Sequence, residues 1–335
     1  MFAGDDNILL QRMPFSSLPL PVLRLLLGVR ADEPLTLPAF SGSMLRGALG
    51  HALLRQSPLP HDGKQPCALH ASCTYCQVFR PLPLAEHALQ RFSALPAPYC
   101  IEPPFDAVRP TPRPLAPGQC FEFGLVLIGG AIRYLPALLA AFANACQRGL
   151  DVHADRASRC TLISARLEGC NTPFWQHGQP LPSFDTTLSE LSLPAQQAGN
   201  TSYTLRFITP LRLQIAGRIA RAHTLTARAL LVALARRTQL LMDTQLGDSA
   251  PQFDFPSLCD AADAVQIDAS ALRSFNMQRY SSLQQRNIPL DGLLGSLHLH
   301  GDLSAFEPLL HLGEWLHVGK ETVFGLGRYT LHAHQ

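Results

Sequence analysis

Lysine is almost missing from this chain: of 27 Lys and Arg residues only Lys64 and Lys320 are lysine, which leaves 25 arginines. Charge is sparse at 16% of residues and the net charge is +2, so bulk charge does not mark a nucleic-acid binder. Long apolar runs are missing too. The longest apolar region, residues 121–145, is interrupted by Glu122, Gly129, Gly130, Arg133 and Pro136, and reads as strand, turn and helix rather than a membrane span. The opening Met1-Phe2-Ala3-Gly4-Asp5-Asp6 is acidic rather than basic, so no secretory leader is expected. Nine scattered cysteines, an odd number, argue against a disulfide framework and for a reducing compartment, so a cytoplasmic location without membrane contact is expected.

Acid is missing where arginine is dense. Residues 201–242 carry Arg206, Arg212, Arg218, Arg221, Arg228, Arg236 and Arg237 without one Asp or Glu, and residues 269–290 add Arg273, Arg279 and Arg286 on the same terms. Either run alone also fits a solvated surface. Two in one half favour a polyanionic partner, because counterion release rewards clustered charge.

A length of 335 residues suits two domains. In the first half, residues 23–29 read as a strand, 41–54 as a helix, 99–101 and 120–128 as strands, 133–148 as a helix and 161–167 as a returning strand. An irregular loop carrying cysteines spans about residues 55–95. The second half repeats the order: a strand over 203–215, an amphipathic helix over 224–242, a hairpin over 275–299 turning near Pro289 to Gly292, a short helix over 305–312 and a final strand. Each order is that of a split β-α-β unit. The expected division is 1–179 for the first domain, 180–200 for a polar linker and 201–335 for the second.

Near the end stands Gly319-Lys320-Glu321-Thr322-Val323-Phe324-Gly325-Leu326-Gly327-Arg328-Tyr329. Its glycines permit positive φ and could aim several N–H groups at one anion, as in a phosphate cradle. The same spacing fits a glycine-rich hairpin without a ligand. It is not a P-loop, because Gly319-Lys320 comes first and Gly325 has no lysine after it. Nor is it a dinucleotide fingerprint, since it runs into a strand, not a helix.

Phe40-Ser41-Gly42-Ser43-Met44-Leu45-Arg46-Gly47-Ala48-Leu49-Gly50-His51, Arg279-Tyr280-Ser281, Gly292-Leu293-Leu294-Gly295 and the glycine loop, taken together and in order, resemble the Cas6 family. These are the CRISPR-associated endoribonucleases of the RAMP superfamily that process precursor crRNA. The resemblance implies an α+β chain of two tandem ferredoxin-like (RAMP/RRM-like) domains with a C-terminal glycine-rich loop. It also implies a metal-independent endoribonuclease with no catalytic cofactor, in which a ribose 2′-hydroxyl attacks the adjacent phosphate to leave 2′,3′-cyclic phosphate and 5′-hydroxyl ends. Its partners would be CRISPR repeat RNA, the crRNA product it could stay bound to, and other Cas effector subunits. The alternative within the superfamily is a non-catalytic crRNA-binding subunit.

Such a cut needs a base, an acid and cations on the scissile phosphate. His51, on the first helix, is the first candidate, with Lys320 and His317 beside it; for His51 the competing reading is a partly buried helix residue. Arg46 precedes His51 by five positions, about 140° around a helix, so it fits a phosphate contact rather than a catalytic pair. Arg228, Arg236, Arg237, Arg279, Arg286, Gly319, Gly325, Gly327 and Arg328 complete the expected RNA contacts. His298 and His300 alternate with leucines on one strand face, which fits a structural or solvated face better than a metal site. Cys67, Cys73 and Cys76 form a cluster that, with His61 or His70 nearby, could hold a structural zinc remote from the cut.

Overall fold

The computed structural model describes residues 15–18, 20–59, 67–81, 95–150, 158–181, 191–194, 202–281 and 286–334. The first sheet is built from β1 (Val22–Ala31), β2 (Tyr99–Glu102), β3 (Cys120–Ile128) and β4 (Cys160–Leu167). They lie in the order β2-β3-β1-β4, all antiparallel, with a short strand at Trp175–Gln176 on the outer edge. Helices α1 (Gly42–Arg55) and α2 (Leu135–Arg148) both pack on one face through Leu45, Leu49, Leu53, Leu138 and Phe142. Pro136 pre-sets the first turn of α2 and Gly149, at φ 103°, ends it.

The second sheet repeats the plan with β5 (Ser202–Leu211), β6 (Gln266–Asp268), β7 (Leu272–Phe275), β10 (Gly292–His300) and β11 (Tyr329–His334). Its order is β6-β10-β5-β11, and β7 also pairs with β10. Both domains are therefore ferredoxin-like, with the central pair of strands flanked by the second and last. Helix α3 (Ala227–Leu246) opens on Thr226, whose side chain accepts from the Ala229 N–H. Helix α5 (Glu307–Leu316) follows β10, and α4 (Phe255–Ala264), which no sequence pattern announced, packs on α3.

Helices α3 and α5 are covered on two sides. One side meets the second sheet through Leu230, Leu234, Leu309 and Leu310. On the other, Leu241, Met242, Leu312 and Leu316 pack on Val22, Cys100, Val126 and Ile128 of the first sheet. Double coverage explains why β1 reads as a nearly continuous apolar run instead of an alternating one.

Two expectations change. The hairpin expected over 275–299 is present, since Phe275 pairs with Gly292 and the pairing continues in the same register through β8 (Gln278–Ser281) and β9 (Arg286–Pro289), but Pro289 to Gly292 lie along its second arm and not at its turn, and Gly292 begins β10. A Cβ at Gly292 would lie 2.7 Å from the Leu211 carbonyl oxygen, so glycine there permits close strand contact rather than a turn. Within the expected linker, Leu191–Pro194 pairs with Phe15–Leu18 as a strand. The rest of residues 182–200, much of the loop over 55–95 and His61 lie outside the described residues.

Candidate functional site at the domain junction

Glu102, at the end of β2, points into the junction and is 3% exposed. Gly124 makes room for it, since a Cβ there would sit 2.5 Å from its Oε2. Oε1 lies 3.2 Å from Arg24 Nη2 and 2.9 Å from His317 Nε2, and Oε2 is 3.4 Å from Arg328 Nη1. Burial pushes the carboxyl up, but Arg24, His317 and Arg328 outweigh it and hold its pKa at about 2. Burial depresses the His317 imidazole, Glu102 opposes that, and Arg24 and Arg328 push it further down. The pair is thus an ionised carboxylate with a neutral histidine whose Nε2–H donates, because a carboxylate can only accept.

His317 is fully buried and its Nδ1 has no partner among the described residues. It ends α5 at φ 59°, ψ 167°, a conformation costly for a residue with a side chain. It therefore ties α5 to β2 and does not present an imidazole to solvent. Arg237 is also interior: Nε donates to the Leu316 carbonyl at 2.8 Å and Nη2 approaches Cys100 Sγ at 3.5 Å. Burial raises the Cys100 thiol to about 11, so it meets Arg237 as a neutral group. The expected RNA contact at Arg237 is a structural bond instead, because the face of α3 it occupies is covered by the first domain.

The glycine loop follows the same logic. Gly319, Gly325 and Gly327 take φ of 95°, 93° and 72° as the sequence suggests. Its N–H groups are turned inward: Lys320 donates to the Arg212 carbonyl, Gly325 to Thr322 and Gly327 to Pro210. A Cβ at Gly325 would lie 2.4 Å from the Ile101 carbonyl oxygen, and one at Gly327 would lie 1.9 Å from that of Val318. These glycines permit close packing across the junction in place of an open anion cradle. Lys320 itself is exposed.

Cations gather on the outside of that loop. The Arg46 guanidinium from α1 lies 5.1 Å from the Phe324 ring centre and that of Arg279 from β8 lies 4.8 Å from it. Arg46 also stacks on Phe79 at 4.2 Å and donates from Nε to Tyr99 Oη at 3.1 Å. Arg279 keeps a buried Nε without a partner among the described residues. Gly42 abuts the Phe324 carbonyl, where a Cβ would come within 1.9 Å, so α1 starts directly against the loop. His51 is exposed on α1, about 7.5 Å further along the axis than Arg46 and about 140° around it.

Arg228 and Arg236 are exposed on α3, and Arg228 pairs with Asp263 of α4, which offsets part of the acid-free run. Arg286 pairs with Ser281 across the ribbon. Arg218, Arg221 and His223 line a cleft of about 620 Å³ floored by Ile215 and Ile219. Sequence reasoning passed over Glu102, Arg24 and Phe324. An acid beside the apolar strand at 99–102 was the only local hint of the first.

Cys67, Cys73 and Cys76 are buried, with their sulfurs within 4.8 Å of one another. Cys76 and Cys67 Sγ are 3.6 Å apart, near the edge of a zinc–thiolate tetrahedron, about 3.8 Å for bonds of about 2.3 Å. Burial raises the Cys76 thiol to about 12, the cost a bound cation would remove. His70 bonds Gln77 through Nδ1 at 3.0 Å and keeps a buried Nε2 without a partner among the described residues.

Comparison with known proteins gives a consistent picture. The family model described as CRISPR-associated endoribonuclease Cas6 matches residues 205–329, and one described as an N-terminal domain matches residues 20–183. A Thermus thermophilus Cas6 product complex aligns over 93% of this chain and 100% of its own, at TM-score 0.53 and 15% identity. A partial Cas6-RT-Cas1–Cas2 complex aligns over 97% of this chain and 47% of its own, at TM-score 0.52 and 14% identity. At such identities the likeness establishes the fold. No curated protein sequence matches the chain.

Proposed function

We propose, from the match of residues 205–329 to the family model described as CRISPR-associated endoribonuclease Cas6, that the chain is a member of that family and cuts precursor crRNA within the repeat without a metal ion. The observation that carries this reading is the convergence of Arg46 and Arg279, one from each domain, on Phe324 beside the exposed Lys320. Guanidinium groups held against aromatic rings keep a fixed orientation, and two of them at a seam can clamp one phosphate. The 2′-oxygen attacks phosphorus as a base takes its proton. The P–O5′ bond breaks as an acid protonates the leaving oxygen, giving the cyclic phosphate and a 5′-hydroxyl. His51 is assigned one of the two proton transfers, and Lys320 the neutralisation of charge on the phosphate. His317 is assigned a positioning role, since it is buried and bound to Glu102.

Arg328, Arg286, Arg236 and Arg228 are assigned to the RNA backbone, where clustered arginine gives affinity without sequence readout. No described helix is long and apolar enough to cross a membrane, and nine free thiols fit a reducing cytoplasm. The likeness to a Cas6-RT-Cas1–Cas2 complex supports association with other Cas proteins. We assign Cys67, Cys73 and Cys76 to a structural zinc that staples the loop beneath α1.

The deciding experiment incubates the protein in EDTA with the repeat RNA of its own locus and with a copy bearing one 2′-deoxy nucleotide at the cut. Cleavage of the first alone is expected. Tight binding without cleavage of either would move the chain to the crRNA-holding RAMP subunits.

A further inference from the structure

The open face of the second sheet is unlike any other surface of the molecule. Tyr203, Leu205, Leu297 and Leu299 turn inward to α3 and α5, so their strand neighbours face solvent. Register then sets His298 and His332 on either side of Thr204, and His300 and His334 on either side of Ser202. Three of these imidazoles are exposed and His298 is half-buried.

The rings are held, not loose. Thr204 Oγ1 meets His298 Nδ1 at 2.7 Å and also bonds His334 Nε2, while Ser202 Oγ meets His300 Nδ1 at 3.0 Å. His298 and His300 lie within 22° of parallel with centroids 6.4 Å apart, and His334 is 6.2 Å from His298. The two rings, two positions apart on one strand, present near-parallel flat faces on which bases can stack. Arg206, exposed one pleat further along β5, supplies a cation for the adjoining phosphate. Asp268, on the edge strand opposite His298 and held by Ser270, also faces this side.

We propose that this face binds a single-stranded stretch of RNA, with bases stacked on His298 and His300 and a phosphate on Arg206. The inference rests on the reading of the chain as a repeat-RNA nuclease and adds a second contact on the far side of α3 and α5 from the first sheet. A divalent cation fits less well. The nearest ring nitrogens are already engaged by hydroxyls, and the sole group of three ligand atoms within 4.8 Å among the described residues is the cysteine trio. Base stacking on flat side chains needs no sequence, and each stacked base contributes roughly a tenfold change in affinity or more.

The test uses the full chain, a repeat RNA trimmed to its stem and cut site, and the same RNA with an eight-nucleotide single-stranded extension carrying 2-aminopurine. The wild type should bind the extended RNA more tightly and quench the 2-aminopurine. His298→Gln with His300→Gln should lose that gain by roughly tenfold or more while cutting the trimmed RNA normally. His298→Phe with His300→Phe should retain it, because the rings remain. Equal binding of the extension by the Gln variant and wild type overturns the proposal. So does zinc binding that the Gln variant loses with RNA affinity unchanged. If the wild type cuts neither RNA but quenches the extension, the nuclease reading fails and the stacking face stands.

Discussion

His317 Nε2 lies 2.9 Å from Glu102 Oε1, and this contact between residues 215 positions apart closes the two domains on each other. Around it Arg328 and Arg24, which also pairs with Glu168, complete an ionic knot across the junction. A knot of this kind fixes geometry more than it adds stability, because desolvation takes back much of the Coulomb gain.

That knot predicts a two-part acid response. His317 has a folded pKa below its ordinary 6.5, so the unfolded chain takes up more protons and stability falls as pH drops below about 6.5. His311, depressed by burial, adds in the same window. Glu102 contributes stability that is complete above about 4.5 and lost as pH falls toward about 2, on the order of 3 kcal/mol. Denaturant unfolding from pH 8 to 3 should show both parts. Glu102→Gln should lower stability at pH 7 by about 3 kcal/mol and remove the lower part; an unchanged lower part would mean that Glu102 is not the titrating group.

Arg46→Lys keeps the charge but removes the planar stack on Phe79 and Phe324 and the bond to Tyr99. Affinity for repeat RNA should fall roughly tenfold. In a cycle with Arg279→Lys the two losses should be non-additive if both guanidiniums read one phosphate. Additive losses in Kd at fixed salt would assign them to different phosphates.

His51→Ala should reduce cleavage about 100-fold or more, measured in single turnover, and leave RNA affinity within twofold. Normal cleavage by this variant would transfer the proton chemistry to another group and leave the family unaffected.

Gly325 and Gly47 make a matched pair. Gly325→Ala should destabilise the chain by more than 1 kcal/mol, because it needs φ 93° and a Cβ would meet the Ile101 carbonyl oxygen at 2.4 Å. Gly47→Ala, in the middle of α1 with nothing within 4 Å, should stabilise by about 0.5–1 kcal/mol. Thermal unfolding of both variants checks the signs.

Protein expressed in rich medium should carry close to one zinc per chain, read by metal analysis after gel filtration, and Cys73→Ser should lose it. Retention of full metal by Cys73→Ser would place the ion elsewhere.

Most strands and helices were legible because their signals are local. The apolar run of β1, the turn of glycines before α2 and the helical spacing from Leu45 to Leu53 each lie within a few residues of the structure they cause. The turn of the hairpin was misplaced because Pro289 to Gly292 looks like a turn, while the reason for Gly292 is a carbonyl 81 positions away at Leu211. Likewise α4 left no strong period, and its Asp263 neutralises an arginine that the linear charge pattern counted as free.

The sequence by itself determined the two β-α-β-β-α-β orders, the arginine-dense second half and the positive φ of the loop glycines, since these follow from spacing, composition and the missing Cβ. Only the tertiary structure decided which arginines face water. Arg237 and Arg236 are neighbours in the chain, yet one is sealed against Leu316 and Cys100 and the other is exposed. The same holds for His317, which was placed inside by how the second domain's helices press against the first sheet. That contact is made by residues some hundred or more positions apart, and no local pattern encodes which faces will meet.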